Sequence, residues 1–375
     1  MHASSSKQDN GKERLNLTFP KKMIALRFHG KADVRLDEIE VPKPAPDEIL
    51  VKVRACGICA SDRRVLHHPP DRLEYTPVTM GHEASLQVVE LGADVQGDRN
   101  YVPLKCGDII TIEDVYGCQR CFYCKRGMPS LCPTGKFPGF SAEGFFATYQ
   151  VAKWHAAHKE ITGLSDIELA CVEPASVGLH AVRNGGVKLG DTVAVIGCGP
   201  IGMFELQAAK IAGACKIIMI DVIDWKLKVA EELGADIALN AKEVDVKKYV
   251  FDETGNIGVD VVFEAVGKAA TIRDALRIVR KRGTVVVTGL LNEDVPIDFS
   301  SPLGITRREI TVRGSICYSS WPDSKSDYDE VMGLIKQARL QVQPLVTHKF
   351  PLREWREAFN VSTDKCIKVM FTDLE

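Results

Sequence analysis

The chain has 375 residues, more than one compact core accommodates, so two domains are expected. Hydrophobic residues make up 45% and charged ones 26%, the balance of a soluble globular protein. A net charge of -2 gives no electrostatic case for nucleic acid or an anionic membrane as a partner.

Residues 1–22 are polar, include Asp9 and Glu13, and lack the apolar stretch of a signal peptide. They read as a flexible N-terminal extension. No run approaches the roughly 18 to 20 apolar residues of a membrane span. The 12 cysteines do not form a disulfide pattern. Cys171, Cys215, Cys317 and Cys366 lie scattered in apolar stretches, as free thiols do, and a reducing cytoplasm is the expected compartment.

Residues 23–28 read as a strand, Pro42, Pro44 and Pro46 break the chain, and residues 48–55 alternate as a strand again. Residues 85–91 and 108–113 are similar, so this half is an all-β unit with long loops. Near residue 174 the pattern changes. Strands are expected at 191–196, 216–220, 259–263 and 284–288. Helices are expected at 200–212, 224–233 and 269–282, stopped by Gly213, Gly234 and Gly283. Such alternation builds a parallel, doubly wound sheet. The run Arg280-Lys281-Arg282 would place cations at a helix C-terminus, where the macrodipole favours them.

Gly197-x-Gly199-Pro200-Ile201-Gly202 follows a strand and opens a helix. The first glycine permits the tight turn, the second lets backbone approach a pyrophosphate, and the third lets helix pack on strand. The helix N-terminus then offers free N–H groups to the phosphates. Asp221 ends the next strand, about 20 residues on, where a carboxylate accepts hydrogen bonds from the adenosine ribose and repels a 2′-phosphate. Val222 and Ile223 supply no arginine for such a phosphate, so NAD is preferred over NADP. Lys226, Val266 and Gly289 complete the candidate cofactor contacts.

Cys118, Cys121, Cys124 and Cys132 are spaced for one tetrahedral zinc. Four thiolates leave no open position, so this zinc is structural. A cytosolic Cys-x-x-Cys is also a redox motif, and zinc modules also bind nucleic acid; four cysteines within one loop argue against the first and the net charge against the second. A second, reactive site is offered by Cys59, His82 and Glu83, with Glu173 as a further carboxylate. Catalytic zinc keeps an exchangeable position for substrate, lowers the pKa of a bound alcohol, and allows its carbon to give hydride to a nicotinamide. Ser61, two residues after Cys59, is the candidate to carry the proton toward solvent.

The segments Cys56-Gly57-Ile58-Cys59-Ala60-Ser61-Asp62, Gly81-His82-Glu83-Ala84-Ser85, Glu173-Pro174-Ala175-Ser176-Val177-Gly178 and Gly199-Pro200-Ile201-Gly202-Met203 resemble the medium-chain, zinc-dependent alcohol dehydrogenase superfamily. The chain is most similar to its sorbitol or polyol dehydrogenase branch, over about residues 23–373. The glutamate of Glu173-Pro174 favours that branch.

The resemblance implies a Rossmann doubly wound parallel sheet domain (176–314) and a GroES-like, mostly-β catalytic domain (23–175 and 315–375), the latter carrying the four-cysteine zinc lobe at about 114–134. It implies two zincs per chain, catalytic zinc at Cys59, His82 and Glu83, and Glu173 either ligating or holding the zinc-bound water. It also implies a homodimer or homotetramer formed through the Rossmann domains.

Three departures stand out. Arg63-Arg64 occupies the place of a relay histidine, with His67 and His68 nearby. Cys317 precedes Tyr318 where the animal sorbitol enzymes carry an arginine. The four-cysteine lobe is absent from the animal sorbitol enzyme and present in threonine and butanediol dehydrogenases. The expected activity is oxidation of a polyol, sugar alcohol or cyclitol with NAD. The alternatives are a threonine or butanediol dehydrogenase, or a catalytically silent protein of this fold.

Overall fold

The computed structural model describes residues 20–66, 73–291, 293–302, 304–319, 326–361 and 363–375. The expected N-terminal extension lies outside them as far as residue 19, as do His67, His68 and the segment 320–325.

The first half is built of strands. β1 (Lys22–Gly30) pairs with β2 (Asp33–Glu40); after the proline-rich break comes β3 (Glu48–Ile58), then the short helix α1 (Ala60–Arg64). β4 (Val78–Thr79), β5 (Glu83–Leu91), β6 (Ile109–Ile112), β7 (Tyr149–Lys153) and β8 (Ala157–Lys159) follow. β4 pairs with β1, so β2-β1-β4 is a three-stranded sheet. β3, β5, β6, β7 and β8 join a larger sheet packed around Val51, Val53, Leu86, Ile110, Phe146 and Phe371, all buried.

Two helices, α2 (Asp166–Ala170) and α3 (Val172–Gly185), lead into strict alternation. The strands are β9 (Thr192–Ile196), β10 (Lys216–Asp221), β11 (Ile237–Asn240), β12 (Val259–Glu264), β13 (Val279–Val287) and β14 (Thr311–Gly314). The intervening helices are α4 (Pro200–Ala212), α5 (Asp224–Glu232), α6 (Val246–Glu253), α7 (Ala269–Ile278) and α8 (Ile305–Arg308). All six strands are parallel, in the order β11-β10-β9-β12-β13-β14. The order reverses between β9 and β12, which opens a crevice at their carboxyl ends. α4 runs as expected from Pro200 to the left-handed Gly213, whose φ of 102° suits only glycine well.

One expected helix is shorter. α7 stops at Ile278, and residues 279–287 are strand, not helix end. Ile278 and Val279 are both fully buried in the sheet's core, and that burial overrides the helix preference of the basic residues that follow. Arg280-Lys281-Arg282 forms an irregularity in β13 instead: Val279 pairs with Val259, and pairing resumes at Thr284 with Val261. Arg280 donates to Asp260 at 2.6 Å, so the macrodipole reading of these cations is replaced by an ion pair.

The chain then returns. After α9 (Asp327–Lys336), β15 (Val346–Pro351), α10 (Trp355–Asn360) and β16 (Lys368–Asp373), the larger sheet is complete in the order β15-β16-β3-β5-β6-β8. β16 is antiparallel to β3, with Met370 opposite Gly57.

Candidate active site and metal centres

The four-cysteine loop closes on itself through two short turns, Cys124–Arg126 and Pro129–Leu131. The sulfurs of Cys118, Cys121, Cys124 and Cys132 lie within 4.8 Å of one another, and none is in a disulfide. Backbone N–H groups already face them: Cys124 N–H donates to Cys121 Sγ and Cys118 N–H to Cys132 Sγ, each at 3.4 Å. N–H groups of Arg120 and Cys121 bring the Cys118 thiol down to about 6. Thiolates presented this way fit zinc, with no ligand position left open.

The second cluster is made by strand pairing. β3 sets Gly57 opposite Glu83 of β5, which brings Cys59, just past β3, to His82, just before β5. One donor atom each from Cys59, His82 and Glu83 falls within 4.8 Å of the others, and His82 and Glu83 are buried. Asp62 accepts the N–H of Cys59 at 2.8 Å and faces His82 Nδ1 at 3.7 Å. Burial opposes charging His82, but the Asp62 carboxylate outweighs it and holds the imidazole well above its usual range. His82 Nδ1 has no hydrogen-bond partner among the described residues. A half-buried thiol converging with a buried imidazole and a buried carboxylate is a donor set that fits zinc.

Glu83 has a second attachment. Lys368 of β16, itself buried, forms an ion pair with its carboxylate and donates to Ile58 O at 3.2 Å. Gly57 makes room: a Cβ there would sit 2.0 Å from Glu83 Oε2 and 2.7 Å from Lys368 Cε. Glu173, in the first turn of α3, is buried beside the cluster but outside the set within 4.8 Å. Burial first, then Asp114 and Glu83, push its carboxyl well up. Ser61 is half-buried in α1. Arg63 does not take up a relay position: it donates to the carbonyls of Val361 and Ala358, at α10.

In the glycine loop, Gly197 follows β9 at φ 108°, and a Cβ on Gly202 would lie 1.9 Å from Gly197 O. A Cβ on Gly199 would meet nothing within 4 Å, so the loop is open where a pyrophosphate approaches. Pro200 and Ile201 open α4. Asp221, at the end of β10, accepts from the N–H groups of Cys198 (2.6 Å), Val222 (2.6 Å) and Ile223 (3.0 Å), so it also braces the glycine loop. Val266 lies against Gly197. Gly289 donates to the carbonyl of Glu264 at 2.9 Å, while the Glu264 side chain accepts from Val266 and Gly267. Lys226 is elsewhere engaged: its ammonium is buried and donates to Thr363 O at 2.6 Å.

Several residues of this region escape sequence reasoning. Lys368, Glu205, Glu264, Asp114, Glu113 and His158 are buried and charged or polar, and Asp329, which pairs with His158, is half-buried. Burial pushes Glu205 up to about 8, and it accepts from Thr288 at 2.9 Å. His158 bridges Asp329 of α9 (2.8 Å) and Glu113 after β6 (3.0 Å). Tyr318 donates to Glu113 at 3.0 Å and Cys317 to Asp114 at 3.6 Å, tying the segment after β14 to the segment after β6. No local spacing announces any of these; each depends on segments far apart in the chain.

Two family models match the chain: "Alcohol dehydrogenase GroES-like domain" over residues 45–162 and "Zinc-binding dehydrogenase" over residues 200–337. Erythritol/L-threitol dehydrogenase of Mycolicibacterium smegmatis is 34% identical, over 91% of this chain and 94% of its own. Sorbitol dehydrogenase of Halalkalibacterium halodurans is 32% identical, over 94% of this chain and 100% of its own. The crystal structure of 2R,3R-butanediol dehydrogenase from Bacillus subtilis superposes with a TM-score of 0.82 at 32% identity, covering 93% of this chain and 99% of that one. No helix among the described residues is long and apolar enough to cross a membrane.

Proposed function

The chain belongs to the zinc-dependent, medium-chain alcohol dehydrogenase superfamily, and on that premise we propose that it oxidises a secondary alcohol of a polyol, sugar alcohol or cyclitol to a ketone with NAD. The observation that carries the reading is the donor triangle of Cys59, His82 and Glu83 in the same chain as an open glycine loop braced by Asp221. The similarity to threitol and sorbitol dehydrogenases supports the polyol class.

Cys59, His82 and Glu83 would hold the zinc, which would supply Lewis acidity toward the alcohol oxygen, and NAD would be the electron acceptor. Asp62 holds Cys59 through its backbone N–H and sets the orientation of His82. Glu83 and Glu173 divide the carboxylate role. Because Lys368 already balances Glu83, Glu173 is the group we assign to exchange with substrate. Ser61 passes the substrate proton outward, since Arg63 is committed to α10. Asp221 meets the adenosine ribose and selects NAD over NADP. Cys118, Cys121, Cys124 and Cys132 hold the structural zinc.

A homodimer or homotetramer is the assembly we propose. The outer edge of β14 carries no partner strand among the described residues, and its four residues are all exposed. Leu290, Phe299, Val312 and Ile316 are exposed large apolar residues of the same β13-to-Ile316 stretch, a surface suited to a second copy. The absence of disulfides among the described cysteines supports a reducing compartment such as the cytoplasm.

The test is NADH formation by zinc-replete protein against polyols, cyclitols, simple diols, threonine and primary alcohols, with NAD or NADP. Selective polyol turnover with NAD is expected. Turnover of butane-2,3-diol alone moves the assignment to the diol enzymes, a second reading that the Bacillus subtilis structure favours. No turnover of any secondary alcohol defeats the proposal.

A further inference from the structure

β6 runs antiparallel to β5, with Ser85 opposite Thr111 and Leu86 opposite Ile110. Carried past the last paired residues, that register sets Glu113 level with Glu83 and Asp114 level with His82. Asp114 is buried, and the segment after β14 holds one of its oxygens: Oδ2 accepts the Cys317 thiol at 3.6 Å. Its other oxygen, Oδ1, is buried with no hydrogen-bond partner among the described residues. Glu113, one residue before, shows the contrast. Its two oxygens are engaged by His158, Arg99 and Tyr318.

An unmatched buried acceptor costs about 1–3 kcal/mol, and native structures rarely leave one without a reason. Asp114 acts on the site already described: its charge is the largest of those acting on Glu173, and it faces the charge of His82. A molecule seated between Cys59, His82 and Glu173 therefore lies within reach of this carboxyl's field. A polyol brings several hydroxyls there. One is oxidised, and the others need acceptors if they are not to be desolvated without compensation.

We propose that Asp114 is a specificity-determining residue, whose free oxygen accepts a hydrogen bond from a substrate hydroxyl flanking the one oxidised. Cys317 holds Oδ2 and leaves Oδ1 for the substrate. The ligand class is a vicinal diol or longer polyol. A mono-alcohol leaves Oδ1 unmatched, and a site built to pair with a hydroxyl discriminates strongly against an analogue that lacks it. This inference rests on the polyol reading above.

The experiment compares wild type, Asp114→Asn, Asp114→Ala and Cys317→Ala. Each is assayed with NAD for kcat/KM on the best polyol and on the mono-alcohol with the same carbinol but no flanking hydroxyl. Zinc content and the melting shift produced by saturating polyol are measured alongside. The expected result is that both Asp114 variants lose about tenfold or more in polyol over mono-alcohol preference. The loss should fall mainly on KM, with zinc retained and the polyol-induced melting shift reduced. Equal losses on both substrates, or a Cys317→Ala variant that reproduces the whole effect, would overturn it. Oδ1 would then serve an internal water or a segment anchor. Wild-type protein that turns over only mono-alcohols removes the polyol reading and this inference together. Wild-type polyol turnover with unselective Asp114 variants removes this inference alone.

Discussion

Raising the pH should loosen this protein at one identifiable point. His158 is wholly buried, with Nδ1 2.8 Å from Asp329 and Nε2 3.0 Å from Glu113, and its ring stacks on Tyr328. Arg99 and Tyr318 also face Glu113, and Asn100 faces Asp329. Burial alone would discharge the imidazole, but the two carboxylates outweigh it and raise it from 6.5 to about 9. The folded state therefore holds this proton more tightly than the unfolded chain does. The stabilisation is complete below pH 6.5, declines through the interval, and is gone above about 9. A rise of that size corresponds to roughly 3 kcal/mol. The assay is urea unfolding followed by tryptophan fluorescence, for wild type and His158→Gln, at about pH 6, 7.5 and 9.5 with zinc in constant excess. The stability difference between the two proteins cancels other titrations. It should be largest at the acid end and shrink by roughly 3 kcal/mol toward the alkaline end. A difference that does not change with pH would show that His158 is not a charged bridge between α9 and the strand-rich half.

Lys368→Met should leave Glu83 buried without its cation and cost about 3–5 kcal/mol in zinc-free protein. Adding Glu83→Gln to it should recover part of that loss, and a double variant no more stable than Lys368→Met would count against the pair. Cys59→Ser should lower zinc from about two to about one per chain and abolish turnover while the fold survives, as read by elemental analysis and circular dichroism. Cys121→Ser should lose the other zinc, so a Cys59→Ser protein that retains both contradicts the assignment of separate sites. Asp221→Ala should raise KM for NAD and narrow the preference over NADP. Because Asp221 also accepts three loop N–H groups, kcat should fall less than KM rises; an unchanged cofactor preference would show that it does not meet the ribose.

What could be read from the sequence was what local spacing encodes. The four cysteines share one loop, the three glycines share one turn, and α4 begins at a proline and ends at a glycine, so each signal is complete within a few residues. Cys59, His82 and Glu83 were legible as candidate ligands from their chemistry beside a dinucleotide loop, but what joins them is the pairing of β3 with β5, which no local spacing shows. The helix expected over 269–282 failed at Ile278 and Val279, where burial in the sheet decided against the propensity of the cations beyond. Lys368, His158 and Asp114 were invisible for a related reason. A lone charged residue reads as surface unless its distant partner is known.

The path of the chain through the larger sheet also bears on how the protein is made. β16 lies between β15 and β3, and Lys368 reaches Ile58 across a separation of 310 residues. The parallel sheet, from β9 to β14, holds all its own strands within one continuous stretch. On a translating ribosome that stretch has every partner it needs as soon as it emerges. Cys59 and His82 are synthesised early, yet the strand that supplies the lysine for Glu83 arrives after the whole parallel sheet. Domains generally fold as units during synthesis, so the cofactor half should mature first and the metal half should close around it. Until then the end of β3 at residues 56–58 lacks the partner that β16 later supplies, and the nascent chain is at its most vulnerable to wrong pairing in that interval.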